Sequence, residues 1–237
     1  MSQHNSDRTG GAVPALLRLD PLRVDPAGLL PARAILRQGG LIAYPTETLY
    51  GLGVDPWNAA AVARLLAAKE RGAERGLILL AASTDAAADV CDAGGVIGDW
   101  KRRLALAFWP GPLSLVLPVG GSVARCPAVA GRASVAVRVS SHPVARLLSA
   151  MAGGTITSTS ANRSGRAPAA STEAIDPEVA ARLDMIIDAG PAPGGRPSTL
   201  LDLTASRPTI LRAGQVSPEA IAAVLGFPPA VSPGAGT

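Results

Sequence analysis

The stretch Leu41-Ile-Ala-Tyr-Pro-Thr-Glu-Thr-Leu-Tyr-Gly-Leu-Gly53 joins an apolar run to a polar segment that contains two glycines. The run from Leu41 to Tyr44 is short and apolar, which predicts a buried β-strand that ends at Pro45. The segment from Pro45 to Gly53 carries threonine hydroxyls and a carboxylate, which predicts a loop. Such a loop at the end of a strand either holds a small polar ligand or is an ordinary tight turn.

Helical and strand patterns alternate along the rest of the chain. The spacing of apolar residues and the helix-capping residues predict helices over 27–38, 58–69, 84–90, 99–108, 143–151, 173–183 and 217–225, the sixth of them broken or kinked at Pro177. Short apolar or β-branched runs predict further strands over 77–80, 113–117, 134–139, 155–159, 185–187, 199–203 and 209–211. This alternation favours an α/β fold, a single domain in which helices flank a mixed sheet.

The two ends of the chain differ from its middle. Residues 1–20 are mostly polar and predict a flexible N-terminal tail, whereas residues 228–237 are rich in Pro, Gly and Ser and predict a disordered C-terminal tail. We therefore expect the domain to span residues 21–227.

The composition excludes several classes of protein. Two histidines and two cysteines cannot form a familiar tetrahedral Cys/His zinc site, and a Ser-His-Asp hydrolase would have to use His142. Two cysteines far apart indicate a reducing compartment. The chain shows no signal-peptide pattern and no run of about 18 apolar residues, so a cytoplasmic protein without a membrane span is expected.

The charged residues are unevenly distributed between arginine and lysine. The 22 basic and 18 acidic residues give a net charge of +4, and only Lys69 and Lys101 among the basic residues are lysines. The arginine excess either reflects genome composition or indicates an anionic partner such as a nucleotide or RNA. The total charge does not separate these interpretations, so the positions of the individual residues must.

Some of the basic side chains lie where a partner is expected. Lys69 and Arg71 follow a predicted helix, where basic residues either complement the helix dipole or bind phosphate. A lysine in a chain that otherwise uses arginine indicates a need for a compact ammonium group. Arg138 lies inside the apolar run 134–139, so its charge requires either a structural ion pair or a ligand carboxylate or phosphate.

Hydroxyl groups are concentrated in the second half of the chain. Residues 155–165 lead from a predicted strand into a loop rich in Ser and Thr, which either holds a phosphate or carboxylate or forms a polar edge strand and turn. Ser198 and Arg212 each lie at the end of a short apolar stretch, and neither position is specific by itself.

In this order, these segments resemble the YrdC/TsaC family, the threonylcarbamoyl-adenylate synthases. The resemblance covers about 27–225 and rests on seven motifs: P-T-E-T-x-Y-G-L-G, K-x-R, W-P-G-P at 109–112, A-V-R, S-T-S-A-N-x-S-G, S-T-x-x-D and I-L-R. It implies a twisted α/β sheet with a concave basic cavity, in the short form of the family that has a single domain.

The resemblance also implies a role for individual residues. The signature that the family uses in catalysis falls on Lys69, Arg71, Ser160 and Asn162. These four residues, with Ser134 and Arg212, match positions near ATP. Positions near L-threonine are matched by Thr46, Arg138, Ser158 and Ser198.

The implied reaction joins L-threonine, bicarbonate and ATP into threonylcarbamoyl-AMP and releases pyrophosphate. Mg²⁺ would accompany ATP, and partner proteins would transfer the product to tRNA, so that direct contact of this chain with tRNA is optional. No histidine is required, which agrees with the composition.

The chain departs from the pattern of the family at two places. Many relatives carry a histidine after the strand that follows K-x-R, where this chain has Ala81 and Ala82, and longer relatives append a second C-terminal domain.

A non-catalytic RNA-binding module of the same fold is the main alternative function, although an aromatic content of 3% leaves few side chains on which RNA bases could stack. A carbamoyl-transfer domain of hydrogenase maturation is disfavoured, because the segments that accompany it are missing.

Overall fold

The computed structural model describes residues 13–70, 72, 76–91, 95–129, 131–163 and 165–235, and these form one mixed sheet. Its strands in chain order are β1 (Ala15–Arg18), β2 (Ile42–Pro45), β3 (Tyr50–Gly53), β4 (Ile78–Ala81), β5 (Leu113–Pro118), β6 (Ser134–Arg138), β7 (Thr155–Ser160), β8 (Met185–Asp188), β9 (Thr199–Asp202), β10 (Thr209–Arg212) and β11 (Ala230–Val231). Across the sheet they follow the order β1-β8-β2-β3-β7-β4-β6-β5-β9-β10-β11.

Helices connect these strands and cover both faces of the sheet, which confirms the predicted α/β class. They are α1 (Leu30–Arg37), α2 (Ala59–Ala68), α3 (Thr84–Ala88), α4 (Gly95–Phe108), α5 (Pro143–Met151), α6 (Pro177–Ala180) and α7 (Pro218–Leu225), with 3₁₀ turns at Ala27–Leu29 and Gly121–Arg125. Within the described ranges, no helix is long and apolar enough to cross a membrane.

The alternation of side chains along β2 divides the interior into two cores. Ile42 and Tyr44 point into a core shared with α1 and α5, whereas Leu41 and Ala43 point into the larger core covered by α2, α4 and α7. Because successive residues of a strand face opposite sides of a sheet, a run that is apolar throughout must be covered on both sides. This explains why residues 41–44 lack a polar face.

Strand β3 corrects the prediction of a loop over 45–53. Residues 50–53 pair antiparallel with both β2 and β7. A Cβ atom on Gly53 would lie 2.7 Å from Ile156 Cδ1 and 2.7 Å from Tyr44 Cε1, so only glycine leaves room for these two side chains. The glycine signal therefore marks a close approach inside the sheet.

Both edges of the sheet reach beyond the predicted domain boundaries. Strand β1 lies within the predicted tail 1–20 and pairs parallel with β8, while β11 lies within the predicted tail 228–237 and pairs parallel with β10. The predictions for 1–12 and 236–237 lie outside the described residues. Edge strands of four and two residues are too short to leave a clear periodicity in the sequence.

The predicted helix over 173–183 is also wrong in extent. Only Pro177–Ala180 are helical, and the Asp176 carboxylate caps them by accepting a hydrogen bond from the Glu178 N–H. Proline lacks an N–H, and its ring is tolerated in the first turn but not in the interior of a helix. Pro177 therefore begins this helix and does not kink a longer one.

The central strand β4 provides a test of the packing. Leu80 is fully buried between β6 and β7, and we expect Leu80→Ala to lower the free energy of unfolding by about 2–5 kcal/mol, because the substitution opens a cavity. Urea denaturation would measure the change. Leu106→Ala is the control, because Leu106 is 76% exposed and its loss should leave the stability almost unchanged. An equal effect of the two substitutions would contradict the assigned core.

Candidate functional site

A cavity of about 300 Å³ opens where β3, β4, β6 and β7 meet residues from the β9–β10 hairpin. This volume lies at the lower end of the range for small-molecule sites. Seven of the ten site residues predicted from the sequence line it: Thr46, Ser134, Arg138, Ser158, Ser160, Ser198 and Arg212. Residues more than 160 positions apart in the sequence are therefore brought to one site by the order of the strands.

The charged side chains that line the cavity are all basic. Arg132, Arg138 and Arg212 line it, and none of the lining residues that the structure describes is an aspartate or glutamate. Serine and threonine hydroxyls provide most of the remaining polar surface. A concave site with one sign of charge concentrates ligands of the opposite sign, so the electrostatics favour an anion.

The hydroxyl of Thr46 is engaged within its own turn. Its Oγ1 donates to Leu49 O at 2.7 Å and accepts from the N–H groups of Thr48 and Leu49, each at 3.2 Å. Thr48 Oγ1 lies 3.0 Å from Thr46 Oγ1 and also belongs to a lining residue. Thr46 therefore fixes the shape of the β2–β3 connection as well as facing the cavity.

Two partners were predicted for the buried charge of Arg138, a structural ion pair or a ligand carboxylate or phosphate. The structure shows the ion pair and leaves room for the ligand. Its Nη1 lies 3.5 Å from Oε1 of Glu47, with 4% of the arginine and 12% of the glutamate side chain exposed. Arg138 also lines the cavity. Since a guanidinium carries five N–H donors, this ion pair leaves donors for a ligand.

Arg212 and Ser198 form a second polar unit of the site. Arg212 donates from Nη2 to Ser198 O at 2.9 Å and to Ser198 Oγ at 3.0 Å, and from Nε to Ser198 O at 3.2 Å. The Ser198 hydroxyl also lies 3.0 Å from Ser114 Oγ. The guanidinium is therefore held in one orientation at the rim formed by β9 and β10.

Lys69 lies behind the cavity wall and outside the lining. Its ammonium donates to the main-chain carbonyls of Ser160 and Asn162, the latter at 2.6 Å, and only 2% of the residue is exposed. Ser160 Oγ lies 3.5 Å away. The lysine therefore joins the end of α2 to the end of β7, where Ser160 lines the cavity.

Asn162 and Arg71 complete the predicted signature. Asn162 donates from Nδ2 to the carbonyls of Arg163 at 2.8 Å and Arg166 at 2.6 Å, which shapes the loop after β7, and it does not line the cavity. The prediction for Arg71 lies outside the described residues. Of these two neighbouring residues of the signature, Ser160 thus lines the cavity and Asn162 shapes the loop behind it.

Sequence reasoning missed several residues of the site. Arg132 lines the cavity and Glu47 supports Arg138, but neither was selected, because an arginine is common in this chain and a glutamate in a loop is usually solvated. Thr48 and Tyr50 also line the cavity. The hydroxyl-bearing segment Thr46-Glu-Thr48 is the signal that could have found Thr48, because small hydroxyl groups suit a polar ligand.

Of the two tyrosines of the chain, Tyr50 lines the cavity and Tyr44 lies on the neighbouring strand β2, and burial keeps both side chains neutral. Burial raises the pKa of Tyr44 to about 12 and that of Tyr50 to about 12. The Tyr44 hydroxyl donates to Thr157 O at 2.9 Å and the Tyr50 hydroxyl donates to Gly190 O at 2.7 Å. Both rings therefore brace the strands around the site without adding charge near neutral pH.

Comparison with known proteins finds a family and named relatives that are similar to this chain. The model of the family of Sua5, YciO and YrdC proteins, described as "Telomere recombination", matches residues 34–214. A threonylcarbamoyl-AMP synthase of Xanthomonas euvesicatoria pv. vesicatoria is 43% identical over 173 residues, which are 72% of this chain and 90% of the relative. A threonylcarbamoyl-AMP synthase of Halorhodospira halophila is 45% identical over 156 residues, which are 66% of this chain and 80% of the relative.

A solved structure agrees with the sequence comparisons. The crystal structure of P. abyssi Sua5 complexed with L-threonine superposes with a TM-score of 0.83 at 33% identity. The match covers 94% of this chain and 63% of the Sua5 chain, so this chain spans less than two thirds of that protein.

The hydrogen bonds of Lys69 to two carbonyls predict that replacing this lysine lowers the stability of the protein. We expect Lys69→Met to lower the free energy of unfolding by about 1–3 kcal/mol, because two carbonyls lose their donor in a buried setting. Hydrogen exchange of residues 160–163 should accelerate. The matched control is Lys101→Met. The Lys101 ammonium lies 3.2 Å from Cys91 Sγ, and neither of these residues lines the cavity. Unchanged exchange in Lys69→Met would contradict the anchoring role.

The raised tyrosine pKa values predict the response of the protein to alkali. Because the pKa in the folded state, about 12, exceeds the ordinary value of 10.0, folding is favoured below pH 10 and this contribution is lost as the pH rises toward 12. Tyrosinate absorbance should stay low near pH 10 in the folded protein and appear with unfolding above it. The protein in urea is the control, and both rings should then titrate near pH 10. A tyrosinate signal at pH 10 without unfolding would contradict the assigned burial.

Proposed function

The chain belongs to the Sua5/YciO/YrdC family, and we propose that it is an L-threonylcarbamoyladenylate synthase, a nucleotidyltransferase that acts in the threonylcarbamoyladenosine modification of tRNA. Relatives that are 43% and 45% identical bear the name of this enzyme, and one of them is matched over 90% of its length. The observation that carries the proposal is the cavity, which combines three arginines with hydroxyl groups. Such a site suits a triphosphate and an amino-acid carboxylate.

The proposed reaction has two steps. The amine of L-threonine and bicarbonate form N-carboxy-threonine with loss of water. An oxygen of the N-carboxylate, the carbamate group of this compound, then attacks the α-phosphorus of ATP, a new P–O bond forms, and the bond to the leaving pyrophosphate breaks. Nucleotidyl transfer depends mainly on positioning the reactants and on stabilising the charge of the phosphates.

We propose that the cationic residues divide this work between the two substrates. Arg212, with Ser134 and Ser160, would bind the phosphates of ATP, and Arg138 would bind the carboxylate of L-threonine. Thr46, Ser158 and Ser198 would contact L-threonine through hydroxyl groups that line the same cavity. The P. abyssi Sua5 structure, whose ligand is L-threonine, supports a threonine subsite in this fold.

Lys69, Arg71 and Asn162 would serve the ATP side of the site. The contacts of Lys69 and Asn162 with the loop after β7 favour a role in positioning Ser160. Arg132, which lines the cavity, is an additional candidate for contact with phosphate. A guanidinium can bind two phosphate oxygens at once.

We propose that Mg²⁺ enters the site as part of the Mg–ATP substrate. The described residues include no group of three or more His, Cys, Asp or Glu side chains that could hold a metal ion. Mg²⁺ commonly retains water and binds substrate phosphates, so the phosphates would supply most of its ligands. The metal would then neutralise phosphate charge together with the arginines.

The comparisons favour the enzyme over a non-catalytic RNA-binding module. The relatives bear the name of the synthase, and a pocket for L-threonine serves no purpose in a module that binds only RNA. Transfer of the product to tRNA would belong to partner proteins, with direct tRNA contact optional. A cytoplasmic location remains a prediction.

The activity is tested with purified protein, Mg–ATP, L-threonine and labelled bicarbonate. We expect threonylcarbamoyl-AMP and threonine-dependent pyrophosphate, and Arg212→Ala should raise the KM for ATP by about 10–100-fold, because a charge-assisted contact is lost. Arg18→Ala is the matched control, since Arg18 is 77% exposed at the edge of the sheet. Binding of RNA without any threonine-dependent pyrophosphate would favour the alternative module.

A further inference from the structure

Glu47 lies directly behind the arginine proposed to bind L-threonine. We propose that Glu47 is a positioning residue, which sets the orientation of the Arg138 guanidinium and thereby the affinity for L-threonine. This inference rests on the proposed function of the cavity and assigns to Glu47 a role in it. Glu47 is not among the lining residues, so it acts on the substrate only through Arg138.

The contact between the two side chains is incomplete by itself. One atom pair, Nη1 of Arg138 and Oε1 of Glu47, lies at 3.5 Å. Arg138 Nε is buried and makes no hydrogen bond to the described residues. Because only 4% of the residue is exposed, solvent does not replace the missing partner. A buried donor of this kind is costly unless a partner satisfies it. A ligand carboxylate in the cavity would supply that partner.

Glu47 is itself fixed from the opposite side. The Ser140 hydroxyl donates to Glu47 Oε2, and the main-chain N–H of His142 donates to Ser140 Oγ at 3.1 Å. His142 directly precedes α5, so this chain of contacts is anchored to a helix that is packed into the core. Glu47 therefore has a rigid support, which a positioning residue requires.

The charges around Glu47 favour the same assignment. Burial is the main cause that lowers the pKa of His142, with the carboxylate of Glu47 acting in the opposite direction, so the imidazole is neutral near pH 7. Arg138 is then the cation that pairs with Glu47. The carboxylate pairs with Nη1, so the guanidinium keeps further N–H donors for a ligand in the cavity that Arg138 lines.

A purely structural ion pair makes a different prediction from a positioning pair. If Glu47 only compensates a buried charge, its removal lowers the stability and leaves the kinetic constants of the folded enzyme unchanged. If Glu47 orients Arg138, its removal raises the KM for L-threonine selectively. The split between the two substrates separates these cases.

The test compares the wild type with Glu47→Gln, which keeps the size of the side chain and removes its charge. We expect the KM for L-threonine to rise about tenfold or more, while the KM for ATP stays within about twofold and the kcat at saturating threonine changes little. Calorimetric titration with L-threonine should show the same loss of affinity. Wild-type constants for both substrates in folded Glu47→Gln would overturn the inference.

A second pair of variants keeps the test decisive if Glu47→Gln does not fold. Ser140→Ala removes the hydroxyl that holds Glu47 and should raise the KM for L-threonine in the same selective way. Ser149→Ala is the matched control, because Ser149 is also a buried serine whose hydroxyl donates, in this case to Ala145 O within α5. Equal kinetics of the two serine variants would overturn the inference.

The outcomes also separate this inference from the proposed function. If the wild type neither binds L-threonine nor forms product, the proposed function fails and the role of Glu47 fails with it. If the wild type is active and the variants keep its affinity for L-threonine, only the role of Glu47 is wrong.

Discussion

The positive charge of Arg138 inside the sheet is the constraint on which the rest of the site depends. A guanidinium that is 96% buried must have a counter-charge, and here Glu47 provides it from the connection between β2 and β3. Strands β7 and β4 lie between this connection and β6 in the sheet. The ion pair therefore joins two parts of the sheet that these two strands separate, and Arg138 also lines the cavity.

Contacts within the protein also fix the orientation of hydroxyl groups that line the cavity. Thr46 is held by its own turn and Ser198 by Arg212, so these polar groups are oriented by the protein itself. Preorganised donors need little rearrangement when a charged ligand binds. Lys69 extends this order to the loop after β7, because its ammonium binds two main-chain carbonyls there.

Local chemistry explains which elements could be predicted from the sequence. Helix α5 occupies the predicted residues 143–151, since a proline in the first turn and regular apolar spacing define it. Helix α2 begins where the range 58–69 was predicted, because the side chain of Asn58 caps it by accepting a hydrogen bond from the Ala61 N–H. Strand β3 was missed, because the glycines of a close approach resemble the glycines of a loop.

The sequence by itself determined the α/β class and the order of most elements, because apolar periodicity is a local property of the chain. Its motifs also named ten candidate site residues through the family resemblance, and the roles of these residues stay predictions. Tertiary structure decided what each residue contacts. It placed Lys69 behind the wall of the cavity, and it brought Arg132 to the cavity lining and Glu47 to Arg138. The physical reason is that the partners of a buried charge come from distant strands, so the order of strands in the sheet decides them.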